Sequence, residues 1–554
     1  MTSKFRLGVA VMTTAVVVAL SGCTSSGGSQ AGGSAEQGGV LRVGISAAID
    51  SLNPFVSQSD YSSIAYQYVY PHLIEYDAKL NFVPSFATKW ETSADGKTWT
   101  WHTVPGAKWS DGKPLTAKDA AFTLNMMMKY QNGPTALLAS LVAHMTKAVA
   151  TDDNTLVVTY SAPVANVLAQ MQSVNIYPEQ VWGPLATGAG KAITTFQNSA
   201  PMVSGGPFMM TSYTVNQIAL FTRNPNWWGA KKPNIDGFGF QMFANEDAMV
   251  TALKTNQVDM IGESTPPTAV DTLKAAGMDV LTAPSLTTMT FIINTNPKKR
   301  QHLELLNPNV RKALEYAIDR QTIVNTAWLG HAQLGSTLLT PASGWQDTSI
   351  QAMPYDPAQA NALLDAAGYP KGSDGIRVAN GAPMSYNVVF PTEINGPGDR
   401  TFQIIQSDFK AIGIVIKQQK MDSDAAFTAI QGSDGKYEDY DLAMWDWVLP
   451  PDPDTQLNAM TCSQWGNLSD SGYCNPAYDA MYLKQGILIN ADQRHAMVNQ
   501  MQQVIFDDRP YIILDYPNVI EAHSPKWAGF VMSPLVGSIN NLSTQTLLDV
   551  HRVG

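Results

Sequence analysis

Histidine and cysteine are scarce in this chain, 8 and 3 residues in a total of 554. The histidines are scattered and no CxxC pair accompanies them, so the spacing that holds zinc is missing. Catalytic signatures are missing as well: there is no HExxH and no GxSxG. Gly96-Lys97-Thr98 ends like a phosphate loop, but Glu91 stands where its first glycine belongs. Adjacent acids such as Asp507-Asp508 are common on solvated faces and do not make a catalytic pair. The sequence therefore predicts no enzyme, no metal and no cofactor. Beyond the N-terminus no apolar run approaches the roughly 18 residues a membrane helix needs. No fixed-period repeat is present, which excludes a solenoid or propeller. Charged residues are only 15% of the chain, and the formal net charge is −11. An acidic surface repels phosphate backbones, so no nucleic-acid partner is expected.

What is present begins with an address. Lys4 and Arg6 precede a stretch, 7–20, that is apolar apart from two threonines. That is a signal-peptide core, too short for a spanning helix. It closes with Leu20-Ser21-Gly22-Cys23, which resembles the lipobox of bacterial lipoproteins. The resemblance implies a signal peptide over 1–22 and a lipid thioether on Cys23. Residues 23–39 are rich in serine and glycine and read as a flexible tether. Cys462 and Cys474 remain, flanking a polar, turn-rich loop. In an exported chain they are expected to form a disulfide, which in the chain-entropy model stabilises by about 3 kcal/mol.

A body of this length exceeds one hydrophobic core, so two or three domains are expected. Strand and helix signals interleave. Residues 41–45, 155–160, 289–293, 412–418 and 441–444 read as strands. Asp356-Pro357 opens a helix that Gly368 closes. A second helix starts at Pro308-Asn309, with Val310, Ala313, Leu314, Ala317 and Ile318 at helical spacing. Thr116 leads a third, and Asp95-Gly96 reads as a turn. A mixed α/β chain that is exported and tethered suggests lobes around a cleft, where ligands commonly sit.

From about residue 40 onward an ordered set of segments resembles the family 5 solute-binding proteins of ABC importers. They include Asp50-Ser51-Leu52-Asn53-Pro54-Phe55, 70–76 (YPHLIEY), 84–90 (PSFATKW) and 105–119 (PGAKWSDGKPLTAKD). Later come 223–228 (RNPNWW), 310–320 (VRKALEYAIDR), 367–370 (AGYP) and 440–447 (YDLAMWDW). One departure is Thr103-Val104, where the family usually carries an apolar-basic pair. The resemblance implies an α/β, two-lobed periplasmic-binding-protein-like fold of class II, the large peptide-binding type, with an extra inserted domain and a hinge. Domain I is expected from 40–75, 195–295 and 525–554, domain II from 76–194, and domain III, the second lobe, from 296–524. It also implies a monomeric receptor outside the cell membrane. Its partners are an oligopeptide or other small solute, and the permease and ATPase subunits of an importer.

The ligand is expected near 440–454 (YDLAMWDWVLPPDPD), where an apolar strand gives way to Trp445, Asp446 and Trp447 and then to prolines. Aromatics and an acid at a strand end suit a ligand platform. In peptide-binding relatives an aspartate just after this tryptophan pairs with the ligand's ammonium; Pro450 stands at that position here, leaving Asp446 or Asp452 for the role. No arginine offers itself for a carboxylate, and the corresponding stretch carries Glu393 and Asn395. Asn53, Tyr70 and Asn294 are weaker candidates from segments that reach the cleft in relatives. Oligosaccharide stacking on tryptophan, and a sensory lipoprotein without transport, are the alternative readings. Nickel or haem is disfavoured because no histidine or thiolate lies near Trp445.

Overall fold

The computed structural model describes residues 35–432, 435–535, 537–539 and 543–554. The expected signal peptide, Cys23 and most of the tether lie outside these residues. The end of the expected tether is part of the folded body. Ala35–Glu36 pairs with His551–Val553. Gly38 and Gly39 have φ of 102° and 87°, a region open to glycine. There the Gly38 N–H donates to the Asn234 carbonyl and the Gly39 N–H to Asp236. Residues 35–39 are thus hydrogen-bonded to the folded body.

Two sets of strands meet in one twelve-stranded sheet, and both depend on Tyr511–His523. On one side stand Met260–Ile261, Val40–Ile45, Gly237–Met242, Ile218–Arg223 and Phe208–Thr214. On the other stand Thr287–Ile293, Leu442–Val448, Ser385–Pro391 and Val415–Met421. Tyr511–His523 is thirteen residues long and buried almost throughout. Residues buried on both faces suit a central strand. Its first part pairs with Thr287–Ile293, and its last part, 518–523, pairs with Asp279–Pro284. The chain thus crosses between the two halves twice, near 285 and near 516.

The hydrophobic clusters divide at the same places. One joins Leu41, Val43, Phe238 and Phe240 to Trp101, Trp109, Leu156 and Trp182, and to Trp527, Leu547 and Val550. Two more, drawn mainly from 286–516 and joined by Leu535, pack the second half. Thr287–Ile293 and the start of Tyr511–His523 pack into the core of the second half. The region 76–194 has its own four-stranded sheet of Ala87–Thr92, Thr98–Thr103, Thr155–Tyr160 and Met145–Asp152. Its core is continuous with that of the first lobe.

Local chemistry explains the elements. Thr116 and Asp119 form a reciprocal capping box at the start of Ala117–Tyr130. Asp356 accepts from the Gln359 N–H, and Pro357 is the first residue of Pro357–Ala366. Pro308–Tyr316 begins the same way, after Asn307. The strand expected at 412–418 is shifted to Val415–Met421, because Ile412 still closes the helix Pro397–Ala411. Cys462 and Cys474 are joined in a disulfide.

The second lobe is tied to Tyr511–His523 by buried charge. Glu315, Arg320 and Arg509 are all nearly inaccessible. Glu315 accepts from Arg320 at 3.0 Å and from Arg509 at 2.6 Å, and Arg320 also donates to the Ile513 carbonyl at 2.8 Å. Removing the shared acid leaves two buried guanidinium groups uncompensated. Glu315→Gln should therefore destabilise the chain by about 3–5 kcal/mol, read as a lower midpoint in denaturant unfolding. A midpoint equal to that of the unaltered chain would show the charges carry no such role.

Candidate functional site

The site follows from how two parallel strands part. Ser385–Pro391 pairs with Leu442–Val448 at Val388–Leu442 and Val389–Ala443 only. Pro391 ends the first strand, and the chain turns through Thr392–Ile394 into the helix Pro397–Ala411. The second strand runs on to Val448, paired on its other side along all of Thr287–Ile293. A crevice opens at the carboxyl ends of these strands, with one edge of 444–448 left unpaired by Ser385–Pro391. In α/β sheets such crevices are where ligands bind.

The crevice is roofed by the other lobe. A cavity of 290 Å³ lies between Glu393, Asn395, Asp446 and Val448 of the second lobe and Glu246, Thr265 and Pro266 of the first. Met289 and Trp328 form its floor, and Pro517, Asn518 and Val519 of the crossing strand form its back. Gly398 packs closely there, where a Cβ would stand 3.2–3.3 Å from Ile394 and Phe390. A second cavity, of 440 Å³, lies farther along the same segment. Pro450, Asp452 and Asp454 face Tyr76, Leu141 and Gln170 across it.

Strand alternation decides which predicted residues meet the first cavity. The sequence reading ended the strand before Trp445, whereas the structure continues it through Val448. Asp446 and Val448 therefore share one face with Met289, while Trp445 and Trp447 point to the other. There Trp445 faces Phe427, with ring centroids 6.3 Å apart. Trp447 donates from Nε1 to the buried Asp470 at 3.0 Å, and the Tyr511 hydroxyl donates to the same carboxylate. Burial pushes the Asp470 carboxyl up to about 6, against the pull of Tyr511 and Trp447. Trp447 thus braces the disulfide-bearing region, while Trp445 packs on the helix Ser423–Gln431.

The remaining candidates separate likewise. Asp452 is held by Arg494 through two hydrogen bonds of 2.6 and 2.8 Å. It borders the second cavity rather than the first. Asn53 is 1% exposed and donates to the Ile193 and Phe196 carbonyls. Tyr70 is equally buried, and its hydroxyl accepts from Asn198. Asn294 donates to the Tyr437 and Tyr440 carbonyls. None of these three lines either cavity. Of the residues named from sequence, the structure brings Asp446 and Glu393 together with Asn395. It adds Glu246, Thr265, Trp328 and Asn518, which sequence reasoning missed. The one available signal was the proline pair Pro266-Pro267, which follows the short apolar strand Met260–Ile261 after a four-residue polar turn.

The electrostatics are one-sided. Burial and the neighbouring Glu393 hold the Asp446 carboxyl above its ordinary range. Glu246 is raised by partial desolvation and by Glu263 and Asp247. Burial also raises Glu393, but donors from Ser423 outweigh it and leave the carboxyl low. Asp515 lies behind the cavity floor, opposite Met289 in the strand pairing, and is wholly inaccessible. Burial pushes its carboxyl up to about 8, opposed by the nearby Trp328 indole and by Arg320.

Sequence and structure comparisons place the chain among known proteins. Residues 81–467 match the bacterial extracellular solute-binding proteins, family 5. The nickel-binding periplasmic protein of Escherichia coli K12 is 24% identical over 498 residues, covering 89% of this chain and 91% of that one. The dipeptide-binding protein of the same organism is 24% identical over 515 residues, covering 88% and 91%. The ABC transporter substrate-binding protein CtaP of Listeria monocytogenes superposes with a TM-score of 0.80 at 21% identity, covering 94% of this chain and all of that one. That likeness shows a common two-lobed fold. These relatives are binding proteins, not enzymes.

Asp515 generates a prediction about stability. In the unfolded chain an aspartate loses its proton near 4, whereas in the fold this one keeps it to about 8. Between those pH values only the unfolded state releases the proton, so stability falls as pH rises through the window. Asp515→Asn should flatten that fall in thermal melts taken from pH 5 to 9. An unchanged slope would mean the carboxyl is not held protonated.

Proposed function

Since the chain belongs to the bacterial extracellular solute-binding proteins of family 5, we propose that it captures an oligopeptide or related small solute between its lobes and delivers it to an ABC permease. The observation that carries this reading is the 290 Å³ cavity, walled by both lobes and backed by the strand that joins them. A solute held there touches both lobes at once. The closed arrangement then gains contacts that an open one lacks, and its population rises by that difference. The unpaired edge beyond Ala443 offers backbone groups to an extended peptide. Asp446 and Glu393 serve as polar anchors. Transport energy comes from the importer's ATPase subunit, so the receptor needs no nucleotide of its own.

The same reading places the chain outside the membrane, tethered through lipid on Cys23. The leader and the Leu20-Ser21-Gly22-Cys23 sequence support it. No helix among the described residues is long and apolar enough to cross a membrane. Two or more acyl chains hold firmly, at about 0.8 kcal/mol per buried CH₂.

Two measurements test this. Val448 is half exposed and lines the cavity. Val448→Trp should fill the space and weaken binding of the solute that co-purifies with the native chain at least tenfold, with an unchanged melting temperature. Undiminished affinity would move the binding place elsewhere. Cys23→Ala should shift the protein from the membrane fraction to the soluble one. A variant that stays with the membrane would remove the lipid anchor from the account.

A further inference from the structure

We propose that Asn395 is a modification site, an asparagine placed to lose its side-chain ammonia and become aspartate or isoaspartate in the wall of the interlobe cavity. The inference goes beyond the receptor reading and does not depend on it. Asn395 lines the cavity, and both it and Gly396 are exposed. Asparagine is a chemically labile residue. It is most labile before glycine, which leaves the following backbone nitrogen open to the side chain. Here Gly396 has φ of 80° and ψ of −100°, and a Cβ added to it would meet nothing within 4 Å.

Two charged side chains stand at the reacting atoms. Lys420 donates from Nζ to the Asn395 Oδ1 at 3.1 Å, so a cation meets the oxygen on which negative charge builds. The Gly396 N–H donates to Asp399, in the first turn of Pro397–Ala411. Burial would raise the Asp399 carboxyl, but hydrogen bonds from Lys420, Gln418 and Gly396 outweigh it and hold it low. An ionised carboxylate therefore faces the amide proton that must leave. Lys420 and Asp399 also hold each other, at 2.7 Å.

The Gly396 nitrogen attacks the Asn395 side-chain carbonyl carbon. An N–C bond forms, the amide proton passes by way of Asp399 to the leaving nitrogen, and the bond from that carbon to Nδ2 breaks as ammonia departs. Water then opens the five-membered imide at either carbonyl, leaving aspartate or isoaspartate, with no oxidation or reduction. Two other asparagines precede glycine and serve as internal comparisons. Asn132-Gly133-Pro134 repeats the tripeptide Asn395-Gly396-Pro397, but the Gly133 N–H donates to the Tyr130 carbonyl at 2.9 Å, and a carbonyl does not take the proton. Asn380-Gly381 forms the two-residue turn between Val378–Ala379 and Ala382–Pro383, where strand pairing fixes the backbone that ring closure must rotate.

Peptide mass spectrometry of the full chain, kept in warm and mildly alkaline buffer, reads each conversion as the exchange of NH₂ for OH. In the folded chain Asn395 should convert at least about tenfold faster than Asn132. In denaturant the two Asn-Gly-Pro sites should convert at equal rates. Lys420→Met should slow Asn395 at least about fivefold and leave Asn132 unchanged, while Lys420→Arg, which keeps a cation, restores most of the rate. Asn395 converting no faster than Asn132 in the folded chain overturns the proposal. So does a lead that persists in denaturant, or one that survives Lys420→Met at an unaltered melting temperature. The comparison of folded with denatured chain needs no variant, and it decides alone if a substitution prevents folding.

Discussion

The structure depends on one shared ladder of hydrogen bonds. Tyr511–His523 lends its first residues to the sheet of the second lobe and its last to that of the first. Together with the adjoining crossing near 285, it is the covalent link between the lobes. A strand hydrogen-bonded at both ends is firm within each half. The chain between the two pairings, around Tyr516 and Pro517, belongs to neither core sheet alone, although Ala332–Leu334 pairs beside it. The lobes are thus joined at two neighbouring crossings, next to the cavity that Pro517, Asn518 and Val519 help to wall. Crossing strand and cavity share these residues.

That sharing gives the cavity its unusual polar character. Buried acids of the second lobe are held in different ways, Glu315 by Arg320 and Arg509, and Asp470 by the Tyr511 hydroxyl and the Trp447 indole. Glu521, on the same crossing strand as Asp515, has its carboxyl pushed by burial to about 7 despite accepting from the Ser538 N–H.

Much of the scaffold was legible because its signals are local. Thr116 with Asp119, and Asp356 with Pro357, state a helix start within four residues. The cleft was legible only in part. Trp445-Asp446-Trp447 alternates like any half-buried strand, yet the prolines just beyond it made it read as a loop. That misreading put the tryptophans and the acid on one platform, whereas alternation sends them to opposite faces. Asn53, Tyr70 and Asn294 were polar residues in promising segments. Their partners, such as the Ile193, Phe196 and Tyr437 carbonyls, lie more than a hundred residues away in sequence, and no spacing rule reveals them. Glu246 and Thr265 escaped for a related reason: their role comes from the meeting of lobes, which no window of sequence contains.

The order of the chain has a last consequence, for folding during synthesis. The core of the first lobe is built from residues near the start and from Trp527, Leu547 and Val550 at the very end. Gln67 and Tyr68 both donate to the Ile539 carbonyl, and Glu75 accepts from Thr544, across more than 460 positions. Contacts so distant form late, because loop closure must precede them. The second lobe is one continuous stretch and is complete before its host is. A chain emerging amino end first therefore assembles its later half early and seals its earlier half last, when the final thirty residues arrive as the closing stave.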